Sequence, residues 1–296
     1  MEDSYICALR PLLPKTRSQR LRSQTMMLYK QDPTLSSSAF SLLSSSSRSL
    51  MSDIGDWEDE GLCLSKLDSF CSENNYHVSS QLMFRFALFH DFDYEDAKIA
   101  IVTSANNNKY LQLRMREDLA EQFASSLLFA LPKVRTRKYN SRVIYMRPSQ
   151  YQHSPENEDL MIESLCYILN DCSKSEAECR DGVSVVINMN EWSTENFGAD
   201  VWNRFMQALR GELVPTKVKL VLITDAPKEF VPMWKILKKS LPYTFYKRVH
   251  LIKEAKLGGF LMEGYEEYMP SDFCGTWRDA KELCEDYVDQ KAYNER

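Results

Sequence analysis

The chain has 296 residues, 44% of them apolar, and a formal net charge of −5. That length accommodates one large domain or two small ones with a sizeable core. No segment approaches the roughly 18 uninterrupted apolar residues of a membrane span, and the opening Met1-Glu2-Asp3-Ser4 lacks the basic-then-apolar layout of a secretory signal, so a soluble protein with at most peripheral membrane contact is expected.

In chain order, residues 1–52 read as a disordered arm. Twelve of the first fifty residues are serine, and seven bases there face three acids. Such a composition is also that of an organelle transit peptide, although Glu2 and Asp3 count against it. Residues 53–135 are expected to form a helical N-terminal subdomain. Leu82, Phe84, Phe86, Leu88 and Phe89 cluster ahead of Asp93, whose spacing to Asp96 suits the cap of a following helix. The four-residue recurrence of Leu111, Met115, Leu119, Phe123 and Leu127 predicts a further helix over 108–131, ended by Pro132.

Strands then alternate with helices. Strands are expected at 143–146, 183–189, 218–223 and 248–252. Helices fall between them, carrying Leu160, Ile162, Leu165 and Ile168 in one case and Trp202, Phe205, Met206 and Leu209 in another. This alternation predicts an α/β fold over 136–277, with a mixed or parallel sheet covered by helices. Residues 278–296 read as an acidic C-terminal helix that packs back through Ala280, Leu283, Cys284 and Val288.

Enzymatic signatures are scarce. The nine glycines form no dinucleotide fingerprint or phosphate-binding loop, and no nucleophile elbow is present. Cys166, Cys172 and Cys179 lack an arginine at phosphatase spacing, and Glu266-Glu267 sits in a generally acidic stretch, so no catalytic residue is named. The eight cysteines contain no CxxC pair and read as reduced thiols of a cytosolic-type compartment. His77, His90, His153 and His250 show no ligand spacing, so neither a metal nor another cofactor is expected. Charge is unevenly spread: residues 217–256 carry ten bases against three acids, and 257–296 reverse this with ten acids against four bases. A basic patch on an acidic chain points to a local anionic partner rather than to nucleic acid. The sequence specifies no oligomeric state.

The segment 228–241 is amphipathic. On a helix Phe230, Met233, Trp234, Leu237 and Leu241 share one stripe while Lys235, Lys238 and Lys239 turn elsewhere. By itself this fits best a surface helix packed on the sheet; the sharper reading, which context has to decide, is a movable lid with its aromatic face over a lipid and its lysines toward anionic headgroups.

The run Val218-Lys219-Leu220-Val221-Leu222-Ile223-Thr224-Asp225-Ala226-Pro227, continuing through Phe230 and Trp234 to Leu241, resembles the strand, Asn-Ala-Pro turn and following helix of the CRAL-TRIO lipid-binding family. That family includes phosphatidylinositol-transfer proteins and the tocopherol and retinaldehyde carriers. Arg248-Val249-His250-Leu251-Ile252 is similar to its next strand, and Met269-Pro270-Ser271-Asp272-Phe273-Cys274-Gly275 to its closing turn, with Cys274 in place of the first glycine. The resemblance implies a lipid cavity floored by the sheet and closed by a gate helix at about 228–241. Phe230, Met233, Trp234, Leu237 and Leu241 are its candidate contacts, and Val185, Ile187, Leu220 and Leu222 its candidate floor. Lys235, Lys238, Lys239, Lys247 and Arg248 are candidates for headgroup or membrane docking. In the phosphatidylinositol-transfer branch a glutamate and a lysine stand where this chain has Thr216 and Arg248, so that headgroup signature is incomplete.

These readings imply a non-enzymatic protein that binds one hydrophobic lipid and transfers or presents it at anionic membranes, cytoplasmic and peripheral. The alternative is an interaction module of the same fold with a filled cavity and a basic partner-binding surface.

Overall fold

The computed structural model describes residues 45–105, 109–151, 154–196 and 198–295. The expectations for 1–44, including the arm's disorder and any targeting role, lie outside the described residues. Helix α1 (Ser45–Glu73) already begins inside the stretch expected to be unstructured.

Three helices open the described chain: α1, α2 (Ser80–Phe89) and α3 (Tyr94–Ala105). The Ser79 hydroxyl accepts from the Leu82 amide at the start of α2, and Asp93 Oδ1 accepts from the amides of Glu95 and Asp96 at the start of α3. These side chains satisfy donors that a helix start leaves unpaired. Cys63, Leu67, Cys71, Met83, Phe86, Ala87, Ala97 and Ile101 form a small core between the three helices. This unit is tied to the sheet by a buried guanidinium: Arg85 donates to the Pro215 carbonyl at 3.3 Å and to Thr216 Oγ1 at 3.1 Å.

The long helix expected over 108–131 does not form. A 3₁₀ turn occupies Lys109–Gln112, α4 spans Glu117–Ser126, and strand β1 spans Phe129–Arg135. Leu127 ends α4 in the left-handed region at φ 43°, and the apolar run Leu128 to Leu131 continues as buried sheet edge. Pro132 therefore does not end a helix. It sits in an edge strand with an irregular register, where a missing amide donor is tolerated.

Strands β2 (Arg142–Met146), β3 (Val183–Asn188), β4 (Val218–Thr224) and β5 (Val249–Ile252) complete a five-stranded sheet in the order β1-β2-β3-β4-β5. Pairing is antiparallel for β1 with β2 and parallel for the rest, so the sheet is mixed. It reaches upstream of the boundary expected at 136. All six residues of β3 are buried, as expected of a central strand covered on both faces. The parallel crossovers run through α5 (Pro155–Asp171) and α6 (Glu176–Asp181), through α7 (Ala199–Leu209), and through α8 (Phe230–Ser240) with the short α9 (Tyr243–Tyr246). With strands laid down in sequence order, right-handed crossovers place these helices on one face. The opposite face meets the chain that follows β5: Tyr145 packs on Phe273 at 5.4 Å between ring centroids, and His250 on Phe260 at 5.4 Å.

The closing turn keeps a left-handed residue where the resemblance leads one to expect glycine. Cys274 has φ 47°, a conformation side chains other than glycine's adopt at a cost. At Gly275 no substitute is possible without movement, because a Cβ there would lie 2.0 Å from the Met269 carbonyl oxygen. Helix α10 (Ala280–Asn294) starts at the Asp279 cap and buries Ala280, Leu283, Cys284 and Tyr287.

Candidate functional site

The register of the central strands decides which residues face the crossover helices. Val185 pairs with Ile144 of β2 and with Val221 of β4, and Ile187 pairs with Met146 and Ile223. Neighbours in register point the same way, and alternate residues point the opposite way. Met146, Ile187 and Ile223 thus share one face near the carboxyl ends of the strands. They floor an apolar cavity of about 70 Å³.

Its walls come from the covering helices and from the turn after β3. Met161 of α5, Val201, Trp202 and Phe205 of α7, Trp192, and Phe230 of α8 all line it. Phe230 is 2% exposed and meets Trp192 edge-on at 5.5 Å and Trp202 at 6.3 Å. Trp234, one turn later, meets Trp202 at 6.5 Å. Edge-to-face pairs of this kind exceed plain area burial in stabilisation. Helix α8 therefore contributes Phe230 to the cavity wall, within an aromatic cluster shared with Trp192, Trp202 and Trp234.

The two faces of α8 divide as its sequence predicts. Phe230, Trp234 and the following Leu241 are buried, and Met233 and Leu237 are half-buried against the core. Lys235, Lys238 and Lys239 are exposed, alongside the apolar Val231 and Ile236. Ile236 is 70% exposed, so the outer face mixes lysine with aliphatic surface. Lys247 lies just beyond α9, its ammonium 3.9 Å from the Tyr243 ring centroid.

Among the expected floor residues, Ile187 lines the cavity and Val185 shares its face. Leu220 and Leu222 do not. They pair with Ser184 and Val186, on the face opposite the cavity, because the β3–β4 register shifts between Val183 and Ser184. One residue of slip exchanges the facing set, so Val221 and Ile223 take the places expected of Leu220 and Leu222. Met146, Met161 and Trp192 also line the cavity, and nothing local in the sequence singles them out. Trp202 and Phe205 had a legible signal, since their spacing marked the inner face of a helix, but nothing local said what that face covered.

A second cavity, of about 390 Å³, lies at the amino end of β4 and is polar. Thr216, Lys217, Lys219, Arg210, Arg248 and Asp91 are among its lining residues. The two positions that depart from the phosphatidylinositol-transfer pattern, Thr216 and Arg248, thus both line this cavity. Thr216 is buried and hydrogen-bonded by Arg85, while Arg248 donates to the Val218 carbonyl at 2.8 Å. Lys217 is paired with Asp91 at 2.7 Å. Burial, with Lys217 and Arg248 nearby, holds the Lys219 ammonium below its ordinary pKa, marking this as a cation-rich pocket.

Among the described residues no group of three or more histidines, cysteines or carboxylates is placed to hold a metal ion. The described cysteines form no disulfide. Burial raises the Cys172 thiol to about 12 and the Cys284 thiol to about 12, far from nucleophilic thiolates. No described helix is long and apolar enough to cross a membrane.

The pairing of a sheet floor with an aromatic-lined apolar cavity and a capping helix after an Asp-Ala-Pro turn has a family counterpart. Residues 135–275 match the model of the CRAL/TRIO domain. The chain carries a CRAL/TRIO domain. The crystal structure of Sfh5 is similar to it with a TM-score of 0.54 and 14% sequence identity, covering 81% of this chain and 98% of that chain. At that identity the likeness speaks for the fold alone. No curated protein matches the sequence. The matched CRAL/TRIO segment starts at the last residue of β1 and stops in the closing turn, so most of β1 and all of α10 extend the packed structure beyond it. CRAL/TRIO domains bind hydrophobic lipids, and the match supports lipid binding by this one.

Proposed function

We propose that this CRAL/TRIO protein is a non-enzymatic carrier that takes one lipid under α8 and transfers or presents it at anionic membranes. The observation that carries the reading is the construction of α8. Its inner side walls an apolar cavity with Phe230 and packs Trp234 on Trp202 of that wall, and its outer side offers Lys235, Lys238, Lys239 and Ile236 to a surface. A helix with aliphatic and cationic groups on its outside suits the boundary of an anionic bilayer.

The cavity, at about 70 Å³, is well below the ~300–1,000 Å³ of sites for drug-sized ligands. Admitting a lipid therefore requires α8 to move outward, taking Phe230 and Trp234 from Trp192 and Trp202. Opening costs aromatic contact, and lipid tails resupply it. At the polar cavity, Lys219 and Arg248 suit a phosphate better than an uncharged headgroup, since Thr216 provides no carboxylate there.

The test is to purify the full chain under native conditions, extract it with organic solvent and identify bound lipid by mass spectrometry, then follow transfer between labelled vesicles. A stoichiometric lipid and measurable transfer are expected. Protein that emerges lipid-free, takes up none from vesicles and transfers none would end the carrier reading. The small cavity also favours a second reading, a partner-binding module whose cavity is filled by its own Met146, Met161, Trp192, Trp202 and Phe230 side chains. A stable lipid-free form that never exchanges lipid would be that module's signature.

A further inference from the structure

One residue lining the apolar cavity carries a buried polar atom with no hydrogen-bond partner among the described residues. Tyr151 is 2% exposed and lines the cavity, yet its hydroxyl has no hydrogen-bond partner among the described residues. The residue itself is firmly placed. Its amide donates to the Pro148 carbonyl at 3.0 Å, closing a 3₁₀ turn at the end of β2. Its carbonyl accepts from Asn196 Nδ2 at 2.7 Å. Asn196, another polar member of the lining, is fully engaged, since Nδ2 also reaches the Ser149 carbonyl at 3.0 Å and Oδ1 accepts from the Ser193 amide at 2.8 Å.

A buried hydroxyl without a partner is costly, and such groups in folded proteins find protein, water or ligand. The surroundings offer little for water, which needs two or more polar partners, because apart from the engaged Asn196 the other side chains lining the cavity are apolar or aromatic. Burial, with Glu158 nearby, raises the phenol to about 12, so the group stays a hydrogen-bond donor at any physiological pH.

We infer that Tyr151 is a specificity residue whose hydroxyl donates to an oxygen of the bound lipid, so that the cavity selects an oxygen-bearing lipid over a pure hydrocarbon. This rests on the carrier reading above and adds the chemistry of the buried part of the ligand. The selecting oxygen belongs to the portion held under α8 and is separate from any headgroup bound at the polar cavity by Lys219 and Arg248. A hydroxyl, carboxyl or ester oxygen within hydrogen-bond reach of the Tyr151 hydroxyl meets the requirement.

The experiment compares the full-length protein with Tyr151→Phe, using two fluorescent probes of similar shape: diphenylhexatriene, a hydrocarbon, and its propionic acid derivative. Wild type should prefer the oxygenated probe. In the variant that preference should shrink by roughly 5- to 10-fold, with hydrocarbon binding unchanged, since one net hydrogen bond is lost. Without ligand, the variant should melt at the same temperature as wild type or a few degrees higher, because an unsatisfied hydroxyl has been removed. A variant that binds both probes as wild type does would overturn the assignment. So would a lowered melting temperature, which would show the hydroxyl bonded within the protein. If wild type binds neither probe, the carrier reading fails and takes this inference with it.

Discussion

Phe230→Ala tests whether α8 is the cap of the cavity. Phe230 is 2% exposed and touches Trp192 and Trp202, so truncation removes a buried ring and two aromatic contacts at once. Large-to-small changes of this kind cost about 3–5 kcal/mol, of a total stability of about 5–15 kcal/mol. For a protein of this length each kcal/mol is worth roughly 2–4 °C in melting temperature, so a drop of about 6–20 °C is expected in ligand-free protein. The space vacated joins the existing 70 Å³ and approaches the on-the-order-of 150 Å³ engineered apolar cavities that stay dry and bind benzene. Benzene or indole should therefore restore part of the lost stability in proportion to its occupancy, by RT ln(1 + [L]/Kd). The assay is thermal unfolding across a ligand series, with exposed Ile236→Ala as the control expected to change little. A loss below about 1 kcal/mol, or no recovery with apolar ligand, would refute the idea that Phe230 seals an apolar cavity.

Reversing Lys235, Lys238 and Lys239 to glutamate should leave the melting temperature nearly unchanged, since all three are exposed. Binding to anionic vesicles should weaken by on the order of 100-fold or more, at about 1 kcal/mol per basic residue, and the difference should narrow as salt rises. Vesicle sedimentation at several ionic strengths reads this directly. A different effect is expected at Asp171, which is 2% exposed in its side chain and receives Lys174 and Lys291 at 2.8 Å each and the Tyr287 hydroxyl at 3.1 Å. Burial pushes its carboxyl up, but the two ammonium groups outweigh that and hold its pKa below the usual carboxylate value. The stabilisation is thus fully present above the unfolded pKa of about 3.9 and is lost as pH falls through the lower folded value. Asp171→Asn should cost about 3–5 kcal/mol at neutral pH and flatten the acid limb of a urea-unfolding profile; an unchanged acid limb would count against the pairing.

The legible parts of the fold are those whose signal is local. Val183 to Asn188 and Val218 to Thr224 read as strands because β-branched and aliphatic runs of that length suit buried parallel sheet. The division of α8 into a buried aromatic side and an exposed lysine side follows from residue spacing alone. Asp93 announces α3 through its cap. The region 108–131 misled because a four-residue apolar recurrence continues across a real break. Only Leu119 and Phe123 of that series are buried on α4, whereas Leu127 turns left-handed and the residues after it join the sheet. A strand partner far along the chain, Phe129 with Tyr145, outweighs helix periodicity there.

The cavity divides in the same way. Sequence determined that a greasy, basic helix follows the Asp-Ala-Pro turn, and with it the family and the candidate lid, because amphipathic spacing and turn chemistry are properties of neighbouring residues. Tertiary structure decided the floor. The shift between Val183 and Ser184 places Ile223 rather than Leu222 in the cavity lining, and register between strands some thirty-five residues apart is fixed by packing on both faces of the sheet. It also decided the walls, gathering Trp192, Trp202 and Phe230 from three separate segments and leaving the Tyr151 hydroxyl without a partner among the described residues. Whether a buried polar group is satisfied depends on every atom around it, and no stretch of sequence carries that information.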